Sequence, residues 1–422
     1  MADDKFKRVL GLPHVTMSGV AVIIGAGIFV LLGPATKEAG DAVWLSFVIA
    51  GVLSALTAFS YMELASMFPK AGSEHEFAGQ VFPRWVAVIV GWSMTAALVV
   101  AAATVALGFG RYVNEFVAFD ERLAAAILLV VLAVVSYLGM ERAAWLVIAL
   151  GLVEIGSLVL VIIIGVPSLG DHDLFDGSFG GVLSAAGLVF FAFIGFDEVI
   201  TLAEETRNPT WTVPRALLLA LGISTLLYVG VAMSAVSVLG SGALAVAERP
   251  LAAVGQQVLG DWAGSALSAA AMVSTGTTVL LVLTAASRML YGMAGADDLP
   301  RFLAVVRFKR VPMNALIVSL VTALVLLLLG DLATLASATD ALIYLTFLVV
   351  NAAVVALRRT MPERERPFRI RGSIGWVPVL PILAFIVVVV VARELRPSSF
   401  WMVGVIVSVG LAVHALHRVT SD

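Results

Sequence analysis

Twelve stretches of this chain are uncharged or nearly so and long enough to cross a lipid bilayer. They lie at about residues 14–38, 41–68, 85–113, 122–139, 143–166, 180–204, 213–239, 262–294, 312–329, 333–358, 374–393 and 399–417. Roughly 20 apolar residues span the hydrocarbon as a helix. Length rather than amphipathicity carries the helix signal, because lipid-facing helices are apolar all round. Composition agrees: 61% of the 422 residues are hydrophobic and 13% are charged, against roughly 25% charged in soluble domains. Mean hydropathy is +1.05. The connections are short, so almost no room is left for a soluble domain. The chain is read as an all-α integral membrane protein with about 12 transmembrane helices.

Composition also excludes. A net charge of -3 offers no basic surface for nucleic acid. The absence of cysteine rules out disulfides and thiol chemistry. Met1 to Gly11 shows no signal-peptide cleavage pattern. Of the five histidines only His414 and His417 are close in sequence, and no carboxylate follows them. No HExxH, P-loop or G-x-S-x-G motif appears. Neither an enzyme nor a metal site is expected.

Orientation follows from Lys and Arg, which concentrate on the cytoplasmic side of membranes. An inside N-terminus places 20 of the 26 basic residues on that side and puts both termini in the cytoplasm. Two loops are expected to form short interfacial helices: Ser73 to Phe82, and Asp297 to Pro312. The acidic outer loop with Asp171, Asp173 and Asp176 reads as solvated surface.

The first run is interrupted where it should be most regular. Val20 to Val30 reads V-A-V-I-I-G-A-G-I-F-V, and glycine weakens helix interiors. Unpaired backbone groups survive inside lipid only where they line a protein cavity. Free amides at the start of a second half-helix can hold an anion such as a carboxylate. The competing reading is a glycine-rich helix packed closely on a neighbour. A second interruption weighs against that reading. The sixth run, Gly187 to Val199, reads G-L-V-F-F-A-F-I-G-F-D-E-V, with Gly195 among aromatic residues and Asp197 next to Glu198. Breaks at positions one and six imply two five-span halves of opposite sense. Such inverted repeats hold substrate at the midplane between the breaks.

These motifs resemble the amino acid–polyamine–organocation superfamily of permeases, in particular the cationic amino acid transporter branch and its prokaryotic relatives. The matching residues are Ile24-Gly25-Ala26-Gly27-Ile28-Phe29, then Tyr61-Met62-Glu63-Leu64 with Pro69, Ala71 and Gly72. Phe190 to Asp197 follow, then Glu204-Glu205 with Asn208-Pro209 and Pro214, Ser287-Arg288 before Leu299-Pro300, and Arg366-Pro367-Phe368-Arg369. Each motif is weak alone, and the ordered set is specific for the fold and class. The resemblance implies a LeuT-like fold: residues 14–166 and 180–358 as inverted five-helix repeats after a cytoplasmic segment 1–13, with peripheral spans over 374–417. It implies an amino acid substrate in a cell membrane. Its carboxylate would meet Ile24, Gly25, Ala26 and Gly27, and its amino group the carbonyls of Phe190, Phe191 and Ala192. Phe193 and Ile194 would shape the side-chain pocket.

One departure concerns coupling. Some prokaryotic relatives carry a lysine midway along span five, where sodium sits in sodium-coupled members. Here Glu154 stands at the apparent equivalent, 11 positions from Ala143 and about 17 Å into the membrane. A carboxylate at that depth is costly and marks a functional group by default. Glu154 is therefore the candidate coupling residue, with a structural hydrogen bond as the alternative. Asp197 is expected to cap the second half of span six, and Glu204 and Glu205 to pair on the cytoplasmic side. Asp340 is either a pocket residue or a satisfied polar contact. Ser274, Thr275, Thr277 and Thr278 could offer hydroxyls to sodium or bond their own helix. The expected coupling ion is a proton with sodium possible, no other cofactor is expected, and sodium symport, exchange, or a non-transporting sensor or channel stand as alternatives. The few charges near the pocket point to a neutral or apolar amino acid.

Overall fold

Each apolar run folds as helix in the computed structural model, which describes residues 10–68, 74–138, 144–202, 206–306 and 311–421. The first run is two helices, α1 (Leu12–Ile23) and α2 (Gly27–Ala39). It is followed by α3 (Val43–Met67), a short α4 (Glu74–Gly79), α5 (Arg84–Val113), α6 (Glu121–Leu138) and α7 (Ala144–Gly165). The sixth run is α8 (Phe179–Val189), a 3₁₀ turn over Phe190–Phe193, and α9 (Glu198–Thr201). Then come α10 (Pro209–Val246), α11 (Pro250–Leu259), α12 (Asp261–Gly295), α13 (Met313–Leu329), α14 (Leu332–Thr360), α15 (Val379–Ala392) and α16 (Pro397–Ser421). Among the described residues, nine helical runs are long and apolar enough to cross a membrane, α2 and α3 counting as one, and three shorter apolar helices accompany them. The chain is an all-α, multi-pass membrane protein.

Local chemistry sets the boundaries. Pro13 and Pro209 sit in the first turns of α1 and α10, where proline's missing N–H costs nothing. Ser178 caps α8 by accepting from the Gly181 amide at 3.0 Å. The expected span over 374–393 begins later, at Val379, because Ser373–Ile374 and Val377–Pro378 pair as a small hairpin turned at Gly375 (φ 63°). The expected interfacial helix over 297–312 is only a 3₁₀ turn, Arg301–Ala304, in its described part. Proline at 300 starts that turn, and the Val305 backbone is extended. Two features had no counterpart in the sequence reading: α11, and a kink in α10 at Gly240 (φ 71°). Pro69, Ala71, Gly72, Ser73, Glu204 and Glu205 lie outside the described residues.

The halves of the two broken spans pack on each other through α2 and α8, inside a ring that includes α3, α5, α10, α12 and α14. One buried network fastens the α3 end of this ring. Arg358 of α14 grips Glu63 of α3 with Nε to Oε1 at 2.7 Å and Nη2 to Oε2 at 2.6 Å. The Ile370 amide donates to the same carboxylate at 2.9 Å, and Arg366 stands 3.3 Å away as an ion pair without hydrogen-bond alignment. The matching motifs around Tyr61 and Arg366 thus meet in space.

Candidate substrate site

The two breaks face each other because their glycines permit it. Gly27 lies against Ala192 so closely that a Cβ would stand 2.5 Å from the Ala192 Cα. At Gly25 a Cβ would meet Thr278 Oγ1 at 2.7 Å. Gly195 has φ 103°, a conformation that favours glycine, and lies on Val22. Close packing and backbone interruption, set against each other in the sequence reading, are the same feature here. A side chain at Gly27 would collide with backbone of the second break, so the fold itself needs this glycine.

The break in the first span has a definite hydrogen-bond pattern. The Gly25 amide turns back to the Ile23 carbonyl at 2.9 Å, and the Ala26 amide donates to Thr278 Oγ1 at 3.1 Å. Gly27, Ile28 and Phe29 form the first turn of α2, whose amides have no helical partner behind them. An anion entering here meets those N–H groups and the positive end of the α2 dipole.

The carbonyls freed by both breaks converge on one side chain. Tyr228 of α10 places its hydroxyl 2.8 Å from the Ile23 carbonyl and 2.8 Å from the Ala192 carbonyl. One hydroxyl proton is shared between the two acceptors. Tyr228 is fully buried, with Phe193 edge-on at 5.2 Å. Sequence reasoning missed it: nothing in α10 marks this tyrosine. Tyr228→Phe should take this donor from the Ala192 carbonyl and leave the Ile23 carbonyl with the Gly25 amide alone, at a cost of about 1–2 kcal/mol. The check is a thermal midpoint in detergent, where an unchanged value would show that the hydroxyl does not hold the breaks together.

A cavity of about 740 Å³ starts at the breaks. Ile24, Gly25, Ala26 and Gly27 line it from the first span, and Phe191, Ala192, Ile194 and Gly195 from the sixth. Met94, Leu98 and Ala101 of α5 and Leu281 and Val282 of α12 make its wall apolar. Glu154, Thr277, Thr278 and Asp197 also line it, so most of the expected site residues share one space. Glu154 is the eleventh of the 22 residues of α7 and only 2% exposed. It faces the Ser274 hydroxyl of α12 and the Tyr228 phenol. No basic side chain pairs with it among the described residues. Thr275 and Thr277 bond carbonyls of their own helix, which leaves Thr278 as the hydroxyl turned to the break.

Three expected positions lie elsewhere. Phe190 stacks on Tyr344 and Phe347, with centroids at 4.9 and 5.5 Å, and Phe193 packs on Tyr228. Both rings support the break from behind rather than line the cavity. Asp340 is fully buried in α14 with neither carboxylate oxygen hydrogen-bonded among the described residues, and it is not part of the cavity wall. Asp197 occupies the N-cap position of α9, yet its side chain makes no capping bond and lies in the cavity wall.

The cavity runs towards the side of the membrane that holds the α1 N-terminus and α4. It passes Tyr61, Glu74, Phe77, Glu198 and Arg288. Tyr61 donates to Glu74 at 3.1 Å, and burial raises the Glu74 carboxyl, with Asp197 adding to the effect. Helix α4 is fastened there by Asp298, which lies within 2.8 Å of His75 and 2.6 Å of Arg84. Burial works to raise the Asp298 carboxyl, but the hydrogen bonds to His75 and Arg84 overcome it and hold that group below its ordinary value. His414 and His417 of α16 reach the Asp298 carbonyl and the Asp297 carboxylate. The carboxylates missing after these histidines in sequence are supplied from the loop behind α12. In the opposite direction the molecule is packed shut: Tyr112 donates to the Phe29 carbonyl at 2.7 Å, and the Ser241 amide to Asp41 at 2.7 Å.

A model of the amino acid permease family matches residues 10–411. The chain belongs to this family. The permease is 30% identical to the branched-chain amino acid permease BcaP of Bacillus subtilis over 91% of its own length and 87% of the relative's. It is 30% identical to the methylthioribose transporter of the same organism, over 97% and 93% of the two chains. It is also 27% identical to the mitochondrial cationic amino acid transporter 3 of Arabidopsis thaliana, over 86% of this chain and 64% of that one. The permease is thus a membrane transport protein of an amino acid-carrying family, not an enzyme.

Proposed function

We propose that this permease is a proton-coupled amino acid symporter of the plasma membrane, working by alternating access across two inverted five-helix repeats. The observation that carries the reading is one cavity joining both breaks to Glu154. The substrate carboxylate binds the first turn of α2, with Thr278 releasing the Ala26 amide to it. Breaks at equivalent places in two halves of opposite sense are how such carriers rock around a fixed site. With 20 of 26 basic residues on the N-terminal side, that side is cytoplasmic, and the cavity opens inward.

The substrate is a neutral amino acid with an aliphatic side chain. Met94, Leu98, Phe191, Ile194 and Leu281 surround the space beyond the first break, and apolar walls with a few aimed polar groups select by shape and burial. The branched-chain activity in the name of the Bacillus relative points the same way. A ligand that binds the native state raises its unfolding midpoint. In a thermal-shift screen of the twenty amino acids, leucine, isoleucine or valine should give the largest rise. Shifts from lysine and arginine alone would overturn the substrate class.

A further inference from the structure

A second concavity lies on the outer, lipid-facing surface, far from the substrate cavity in its lining and in its chemistry. It has a volume of about 570 Å³, within the range of ordinary ligand pockets. Its floor is the outward stripe of α14, where Ala352 and Ala356 are small and Val355 lies between them. Its far wall is α15, through Ile382 and Phe385, which remain 36% and 38% exposed. At one end stands Trp376, on the hairpin before α15 and 50% exposed. Arg359 closes the same end.

The charges at that end are unevenly matched. Arg358 and Arg366 are ion-paired with Glu63, and Arg364 covers the Phe68 ring at 4.1 Å. Arg359 has no acidic partner among the described residues. The connection to the hairpin adds exposed Arg369 and Arg371 against Glu363 and Glu365. The hairpin is held in place, because Arg358 also reaches the Ser373 hydroxyl and the Ile370 carbonyl. So an exposed indole on an anchored hairpin and a guanidinium without an acidic partner mark the end of an apolar trough between two spans. Tryptophan sits at the headgroup level of a bilayer, and basic pockets between spans take anionic lipid headgroups.

We propose that this groove is a binding site for one anionic phospholipid, with an acyl chain along α14 and α15 and the phosphate on Arg359 beneath Trp376. The trough matches an acyl chain in being apolar and running along the membrane-crossing direction of its two helices. The headgroup matches the free cation. The site shares no lining residue with the substrate cavity.

Native mass spectrometry of the full chain, released from detergent with equimolar phosphatidylglycerol and phosphatidylcholine, tests this. One phosphatidylglycerol should be retained at least fivefold in excess over phosphatidylcholine. Arg359→Gln should bring the ratio close to one, and Trp376→Ala should lower it. Arg393→Gln, an exposed basic residue at the other end of α15, should leave it unchanged. Equal retention of the two lipids, or a preference that survives Arg359→Gln, overturns the proposal. So does full competition by glycerol phosphate, which lacks acyl chains, and so does a lipid-free dimer, which would make the groove a contact between copies.

Discussion

Glu154→Gln is expected to bind substrate with little change in affinity and to lose concentrative uptake by at least tenfold. The variant keeps the shape of the protonated acid and its place beside Ser274 and Tyr228, but it cannot release a proton. An intramembrane carboxylate with no cation beside it is stable in one protonation state at a time, and its environment changes when the cavity opens to the other side. That is the cycle a proton-coupled carrier needs. Uptake into proteoliposomes is measured with an imposed pH gradient, with and without sodium, for both proteins. Exchange of substrate for substrate should persist in the variant, because it requires no net proton movement. Uptake driven by sodium and indifferent to the pH gradient would falsify proton coupling and return attention to the Thr278 hydroxyl. A glutamine variant that still concentrates substrate would remove Glu154 from the mechanism.

The largest effect on stability should come from Glu63→Ala. It leaves Arg358, which is 5% exposed, without its bidentate partner, and frees the Ile370 amide and Arg366 as well. Breaking a buried pair from one side costs about 3–5 kcal/mol, because the remaining charge is stranded. Replacing both partners, Glu63→Leu with Arg358→Met, should recover much of that loss, since two apolar groups strand nothing. Midpoints for the two single variants and the double variant give the coupling directly. Additive losses would show that the pair is not a unit. Because the network fastens α3 to α14, the singles should also lower the yield of folded protein.

The helices were legible in the sequence because the bilayer imposes a length, and a run such as 85–113 can satisfy it in one way. Both interruptions were legible because glycine at 25, 27 and 195 has a local conformational cost that only a special backbone repays. Glu154 was legible because an acid in an apolar run is expensive wherever it points. Direction was not legible. Phe190 and Phe193 lie within two positions of Phe191 in sequence, yet the 3₁₀ turn sends them into packing and leaves Phe191 to the cavity. Asp340 looked like Glu154 by the same rule, and only its place in α14 keeps it out of the cavity.

What the sequence determined by itself, then, was an all-α membrane protein, the placement of its spans, and the two points where helix gives way. These depend on interactions of each segment with lipid and with its own backbone. The tertiary structure alone decided the partners: Thr278 on the Ala26 amide across 252 positions, Tyr228 on both freed carbonyls, Arg358 on Glu63 across 295 positions, and Asp298 among His75, Arg84 and His414. Hydrogen bonds and ion pairs act over about 3 Å, and no local pattern records which distant side chain the packing of helices will bring that close.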